Sequence, residues 1–144
     1  MAVQRMDHVV VVVPDLDAAI AFFTALGLEV EGGTTVEGEW VDRVNGIAGV
    51  RADITMMRTP DGHGRLEVTR YASPAVPDAE PEPPNRLGLR SVMFEVDDLE
   101  DTLDRLRPHG GTLIGAVARY EDSYVLCYVR GPGGVIVALA EAVG

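Results

Sequence analysis

Length, composition and charge exclude several classes of protein. The chain has 144 residues, 47% of them hydrophobic, which suits one domain or two small modules around a buried core. Its formal net charge of −11 disfavours binding to phosphate backbones, so we expect no nucleic-acid partner. All 12 basic residues are arginine, which excludes Schiff-base catalysis by lysine.

The sequence also lacks the signals of membrane and secreted proteins. The apolar run Val9–Val13 is far shorter than the roughly 20 residues of a spanning helix, and no basic segment precedes it. A single cysteine, Cys127, allows no intramolecular disulfide. We therefore predict a cytoplasmic protein with no membrane partner.

An internal repeat organises the chain. Met6–Asp17 aligns with Leu89–Glu100 at a constant shift of 83 positions, from His8 to Ser91, without a gap. The same shift places Gly27 on Gly110, where each copy is expected to end a helix. The pattern therefore predicts a strand, a helix and a turn in each copy.

Local patterns support these elements in chain order. Val9–Val13 is a β-branched run that ends at Pro14, and Asp15 is a suitable N-cap for the helix that follows. In the second copy, Val92–Val96 is the strand and Asp98 the cap. The predicted buried faces comprise Leu16, Ala19, Ile20 and Phe23 in the first helix and Leu99, Leu103 and Leu106 in the second.

Each copy closes with a hairpin turn and a last strand. The turn Arg58–Gly62 precedes Leu66–Val68, and the turn Arg130–Gly134 precedes Val137–Leu139. Matching the strands requires the second turn to be shorter by one residue. We thus predict a first βαβββ module in residues 1–71 and a second in residues 86–144.

Two segments lie outside this pattern. Residues 72–85 are proline-rich and acidic and are predicted to form an extended linker. Gly32–Gly49 is predicted to hold a strand and a loop, in which Trp40 serves either as a structural anchor or as a lid that stacks on a ligand.

Several of these motifs resemble those of one known superfamily. Asp7-His8-Val9 opens the first strand, Val96–Leu99 follows the fifth, and Thr59–Gly62 precedes Leu66-Glu67, as in the vicinal oxygen chelate superfamily of glyoxalases, bleomycin resistance proteins and extradiol dioxygenases. The resemblance covers almost the whole chain. It implies an α+β fold in which two βαβββ modules form a cupped mixed β-sheet, and it implies a homodimer.

The resemblance also implies a metal centre with two ligands from each module. His8 and Glu67 match the ligand positions of the first module, whereas Ser91 and Ala138 stand at those of the second. Alanine cannot ligate a metal, and a serine hydroxyl is a poor substitute for imidazole. A divalent ion (Zn, Ni, Mn or Fe) is therefore expected to bind weakly or not at all.

Other residues are candidates for a replacement site. Glu95 shares a strand face with Ser91 and is a candidate catalytic carboxylate together with His8 and Glu67, which can also act as an acid–base pair without metal. Candidate ligand-binding residues are Trp40, Met56, Met93, Tyr128 and Glu121.

Two functions remain open from the sequence. In the first, the protein is a metal-dependent lyase or isomerase with an altered ligand set, acting on a small organic substrate. In the second, it is a metal-free binding protein of the bleomycin-resistance type that sequesters a drug in the cup. The absence of metal ligands from the second module favours the metal-free binding protein.

Overall fold

The computed structural model of the chain describes residues 2–77 and 79–143. The chain divides into two compact units, unit 1 (Met1–Asp78) and unit 2 (Ala79–Gly144). Each unit holds one four-stranded mixed sheet, so the predicted α+β fold of two βαβββ modules is confirmed. None of the described helices has the length and apolar character needed to cross a membrane.

Unit 1 follows the predicted module with one additional helix. Its elements are β1 (Val9–Val12), α1 (Leu16–Leu26), β2 (Glu29–Glu37), α2 (Glu39–Asn45), β3 (Arg51–Arg58) and β4 (Arg65–Ser73). The strand order is β1-β4-β3-β2, with β1 parallel to β4 and the other pairs antiparallel. Strand β4 runs through Ser73, two residues into the segment predicted as linker.

Unit 2 has the same strand order. Its elements are β5 (Ser91–Glu95), α3 (Leu99–Leu106), a 3₁₀ turn (Arg107–His109), β6 (Thr112–Tyr120), β7 (Tyr124–Arg130), a second 3₁₀ turn (Pro132–Gly134) and β8 (Ile136–Ala142). The sheet order is β5-β8-β7-β6, again with one parallel pair at the edge.

The repeat extends to the register of the strands. Val10 pairs with Glu67 across β1 and β4, and Met93 pairs with Ala138 across β5 and β8. These are the pairs that the sequence repeat predicts. The connection between β7 and β8 is also one residue shorter than that between β3 and β4, as expected.

Helix α1 is held by a side-chain cap and an apolar face. Asp15 accepts a hydrogen bond of 3.0 Å from the Ala18 amide, and Gly27 ends the helix with a φ of 123°, where a side chain would be strained. The fully buried face differs in part from the prediction, because Leu16 and Ile20 are only half-buried. The buried residues are Ala19, Phe22, Phe23 and Leu26.

Helix α3 agrees with the prediction more closely. Its cap, Asp98, accepts a hydrogen bond of 3.0 Å from the Asp101 amide. A second carboxylate, that of Glu141 on β8, accepts a bond of 2.6 Å from the Leu99 amide and ties the helix start to the sheet. The predicted residues Leu99, Leu103 and Leu106 are all buried, and Thr102 is buried beside them.

The segment predicted as a strand and a loop contains a helix instead. Strand β2 continues to Glu37, and α2 then takes the place of most of the expected loop. The helix forms because Val41 packs with Val50 and Ala52 in a buried cluster, which Val36 and Tyr71 extend. The equivalent connection in unit 2 is the short turn 121–123, so α2 is an addition to the first copy alone.

Asp42 on α2 should make the stability of unit 1 depend on pH. Its carboxylate accepts bonds from the amides of Gly49 (3.0 Å) and Val50 (2.8 Å), and these two bonds lower the pKa of Asp42. A lowered native pKa contributes stability above the unfolded value, about pH 4, and this contribution is lost as the pH falls through the native value. We expect Asp42→Asn to lower the urea midpoint at pH 7 and to differ less from the parent near pH 3.

Asp17→Asn is the control for this measurement, because it removes the same charge from an exposed position in the first turn of α1. Urea unfolding of the three proteins between pH 3 and pH 7 tests the expectation. A deficit of Asp42→Asn that is as large at pH 3 as at pH 7 would contradict it.

Candidate functional site

Each sheet packs one face against a helix, α1 in unit 1 and α3 in unit 2. On the other face of the unit 1 sheet, the short helix α2 covers only the far end, where Val41 packs on Ala52. In unit 1, Leu66 and Val68 on β4 are buried on the side that carries α1. Because side chains alternate along a strand, Glu67 lies on the opposite side, and so do Val10 of β1 and Met56 of β3, which pair with it. We call this side the open face of unit 1.

The structure brings His8 and Glu67 together on the open face of unit 1. His8 Nε2 lies 3.9 Å from Glu67 Oε2, and both side chains are partly buried, 30% and 22% exposed. The sequence predicted this pair from the repeat and the resemblance. Met56, predicted to bind ligand, pairs directly with Glu67 and belongs to the same area.

A third residue, Asp7, completes this cluster and was not predicted to have a role. Asp7 Oδ2 lies 2.7 Å from His8 Nδ1, and Asp7 also accepts bonds from Arg5 (2.9 Å) and Arg65 (3.1 Å). The bond from His8 and then the bond from Arg5 lower the pKa of Asp7. Asp7 therefore orients the His8 ring by accepting from Nδ1, which leaves Nε2 on the side of Glu67.

The metal centre that the resemblance implies, with two ligands from each module, does not fit these side chains. His8 and Glu67 supply two donors, but the equivalent positions in unit 2 are Ser91 and the fully buried Ala138. Within residues 2–77 and 79–143, no three His, Cys, Asp or Glu side chains are grouped closely enough to hold an ion together. Two protein ligands seldom define a tight site for a transition metal.

The side of the unit 2 sheet opposite α3, which we call the open face of unit 2, carries a groove. Ala140 on the central strand β8 has a small side chain, while Glu95 on β5 and Leu126 on β7, which pair with it from either side, have longer ones. A small side chain between two longer ones leaves a groove. Its cavity measures about 370 Å³ and is lined by Met93, Glu95, Tyr124, Leu126 and Ala140.

Two of the five residues that line the cavity, Met93 and Glu95, were predicted as site residues. Met93 is 58% exposed, although it is a large apolar side chain on a strand, and Glu95 is exposed beside it. Tyr128 lies on the same face without lining the cavity. Tyr124, Leu126 and Ala140 were not predicted. Because side chains alternate along a strand and Cys127 and Leu139 are buried on one face, the sequence could have placed these three residues on the opposite face.

Glu95 does not replace the ligand missing at Ser91. Both residues face the groove, but they lie four residues apart on β5, about 13 Å at 3.3 Å per residue. A carboxylate at that distance cannot take the place of a donor at position 91. Glu95 is thus a residue of the groove and not of a metal centre.

The structure places two further predicted residues away from these clusters. Trp40 follows the end of β2, where Glu37 pairs with Arg51, whereas Gly32 of the same strand pairs with Met56 beside Glu67. These rows are five residues, or about 17 Å, apart, and Trp40 is 60% exposed. Glu121 lies in the exposed β6–β7 turn of unit 2, at a φ of 52°, and does not line the cavity.

Comparison with known proteins agrees with this architecture. The family model described as "Glyoxalase/Bleomycin resistance protein/Dioxygenase superfamily" matches residues 5–139. A crystal structure of a glyoxalase family protein from Bacillus cereus is 47% identical, with a TM-score of 0.93 over 100% of this chain and 99% of that one. No curated protein sequence matches the chain.

More distant structures share the fold alone. A glyoxalase family protein from Enterococcus faecalis is 20% identical, with a TM-score of 0.64 over 98% of this chain and 100% of that one. A glyoxylase/bleomycin resistance protein/dioxygenase domain from Frankia sp. EAN1pec is 14% identical, with a TM-score of 0.63 over 98% and 93%. The chain belongs to the glyoxalase/bleomycin resistance protein/dioxygenase superfamily.

Proposed function

We propose that this protein binds a small organic molecule in the groove of unit 2 and that it does so without a resident metal ion. The observation that carries the proposal is the row of small residues on β8. Where β4 of unit 1 presents Glu67 and Thr69, β8 presents Ala138 and Ala140. The exchange removes a donor at position 138, and at position 140 it leaves a small side chain that lines the cavity.

The chemistry of the lining supports an apolar ligand body. Met93, Leu126 and Ala140 offer hydrocarbon and thioether surface, and Tyr124 offers an aromatic ring. Binding sites for small molecules are concave, mostly apolar and carry few polar groups, and their volumes begin at about 300 Å³. A methionine that is largely exposed on a strand also gains by being covered, because burying apolar surface is favourable.

The metal-dependent lyase or isomerase predicted as the other function has less support. It requires a donor set that the described residues do not supply in either unit. The catalytic roles of His8, Glu67 and Glu95 stay predictions, and so does the homodimer. Asp7 gives His8 an oriented ring, which a ligand of the open face of unit 1 would meet without any metal.

Calorimetric titration with a panel of bicyclic aromatic molecules, before and after dialysis against a chelator, tests the proposal. We expect binding with the same dissociation constant in both preparations and well under one equivalent of any transition metal in the native protein. Added zinc should leave the affinity unchanged. Stoichiometric metal in the native protein, together with loss of binding after chelation, would contradict the proposal.

A further inference from the structure

We propose that the groove of unit 2 selects organic cations, that is, molecules with an aromatic or apolar body and an amino group that reaches Glu95. This inference rests on the proposed function and names the class of ligand. Its basis is the contrast between one carboxylate and an otherwise apolar cavity lined by Met93, Tyr124, Leu126 and Ala140.

The carboxylate of Glu95 is available to a ligand. In the part of the chain that the structure describes, no salt bridge or hydrogen bond engages it, although many of the protein's arginines are paired with acids elsewhere. Glu95 pairs with Ala140 across β5 and β8, and Ala140 pairs with Leu126 of β7. The acid therefore stands at one wall of the groove with apolar side chains beside and opposite it.

The aromatic residues of the same face add to this selectivity. Tyr124 lines the cavity, and Tyr120 pairs with it across β6 and β7, while Tyr128 lies two positions beyond Leu126 on the same side of β7. A cation is attracted to the face of an aromatic ring and to a carboxylate alike. An anion is attracted to neither group, and the net charge of −11 opposes its approach.

The cavity limits the size and shape of the ligand. A volume of about 370 Å³ accommodates a bicyclic aromatic body with a short side chain. Ala140 is the smallest side chain of the lining and is buried, so the cavity has no deeper pocket at β8 and favours a flat molecule. The expected class is therefore a planar aromatic amine of about this size.

Two nearly isosteric probes, naphthylmethylamine and naphthylmethanol, separate the charge from the apolar body. Calorimetry at low salt should give a dissociation constant about three- to fivefold lower for the amine than for the alcohol, because Glu95 is an exposed carboxylate. Glu95→Gln should remove this preference and leave the affinity for the alcohol within about twofold of the parent value. Glu100→Gln, which removes an equal charge from an exposed position on α3, outside the cavity, should keep the preference.

The outcomes distinguish the inference from the proposed function. Equal affinities of the parent protein for amine and alcohol, or an unchanged preference in Glu95→Gln, would overturn the inference and leave metal-free binding in place. Failure of both probes to bind would overturn both. If the groove were covered by a second copy of the chain, Met93→Arg would convert a dimer to a monomer in sedimentation and neither probe would bind, which also overturns the inference.

Discussion

Replacing Phe22 with alanine should destabilise the protein by about 3–5 kcal/mol, which is the usual cost of deleting a buried phenylalanine. Phe22 is fully buried in α1 and meets Phe23 edge to face, with ring centroids 5.2 Å apart. The deletion removes both the transfer free energy and this aromatic contact. We expect a fall in Tm of about 10 °C or more for a chain of this length.

The matched control is Trp40→Ala, which removes a larger aromatic side chain from an exposed position on α2. Its expected cost is below about 1 kcal/mol, because surface substitutions seldom change stability by more. Urea unfolding and thermal melts of the three proteins provide the comparison. Equal losses for Phe22→Ala and Trp40→Ala would show that α1 does not pack as described.

Filling the groove should abolish ligand binding. Ala140 lines the cavity between Glu95 and Leu126, with which it pairs, and its side chain is buried. A phenylalanine there would occupy the space assigned to the ligand. We expect Ala140→Phe to weaken binding of naphthylmethylamine by at least about 100-fold, equivalent to about 2.7 kcal/mol.

The control for this substitution is Val12→Phe, which adds the same side chain to a partly exposed position on β1 of unit 1. It should leave the dissociation constant within about twofold of the parent value. Overpacking can cost Ala140→Phe about 1–3 kcal/mol of stability, so circular dichroism must show that the variant is folded at the assay temperature. Unchanged binding by a folded Ala140→Phe would show that the ligand does not bind in the groove.

The sequence was sufficient for most of the fold because local and repeated signals agree. Asp15 and Asp98 both cap helices, and the aligned residues Val10 and Met93 pair with partners that the repeat also aligns, Glu67 and Ala138. A pattern that appears twice at one spacing is far more specific than either copy alone. The family model that matches residues 5–139 confirms the superfamily that the sequence resembles.

Helix α2 escaped prediction because its local signals are weak. It begins after Gly38, at a φ of 114°, without any side-chain cap, and it is only seven residues long. What stabilises it is tertiary, namely the burial of Val41 against Val50 and Ala52. Such contacts have no signature in a window of sequence.

The candidate site was predicted in part, for a reason that lies in strand geometry. Alternation correctly assigns Glu95 to the face of Ser91. The spacing of four residues on a strand already corresponds to about 13 Å, so the sequence could also have excluded Glu95 as a replacement ligand. Trp40 illustrates a limit of the sequence, since no pattern shows at which end of the sheet its segment lies. Asp7 was missed because its role depends on a bond to its neighbour, His8.

The most direct test of the groove is a measurement of intermolecular nuclear Overhauser effects between naphthylmethylamine and the methyl groups of the protein. We expect contacts from the aromatic protons of the ligand to the methyl groups of Met93 and Leu126, in samples treated with chelator. Contacts to Val10 and Val12 on the open face of unit 1, with none to Met93 or Leu126, would contradict it.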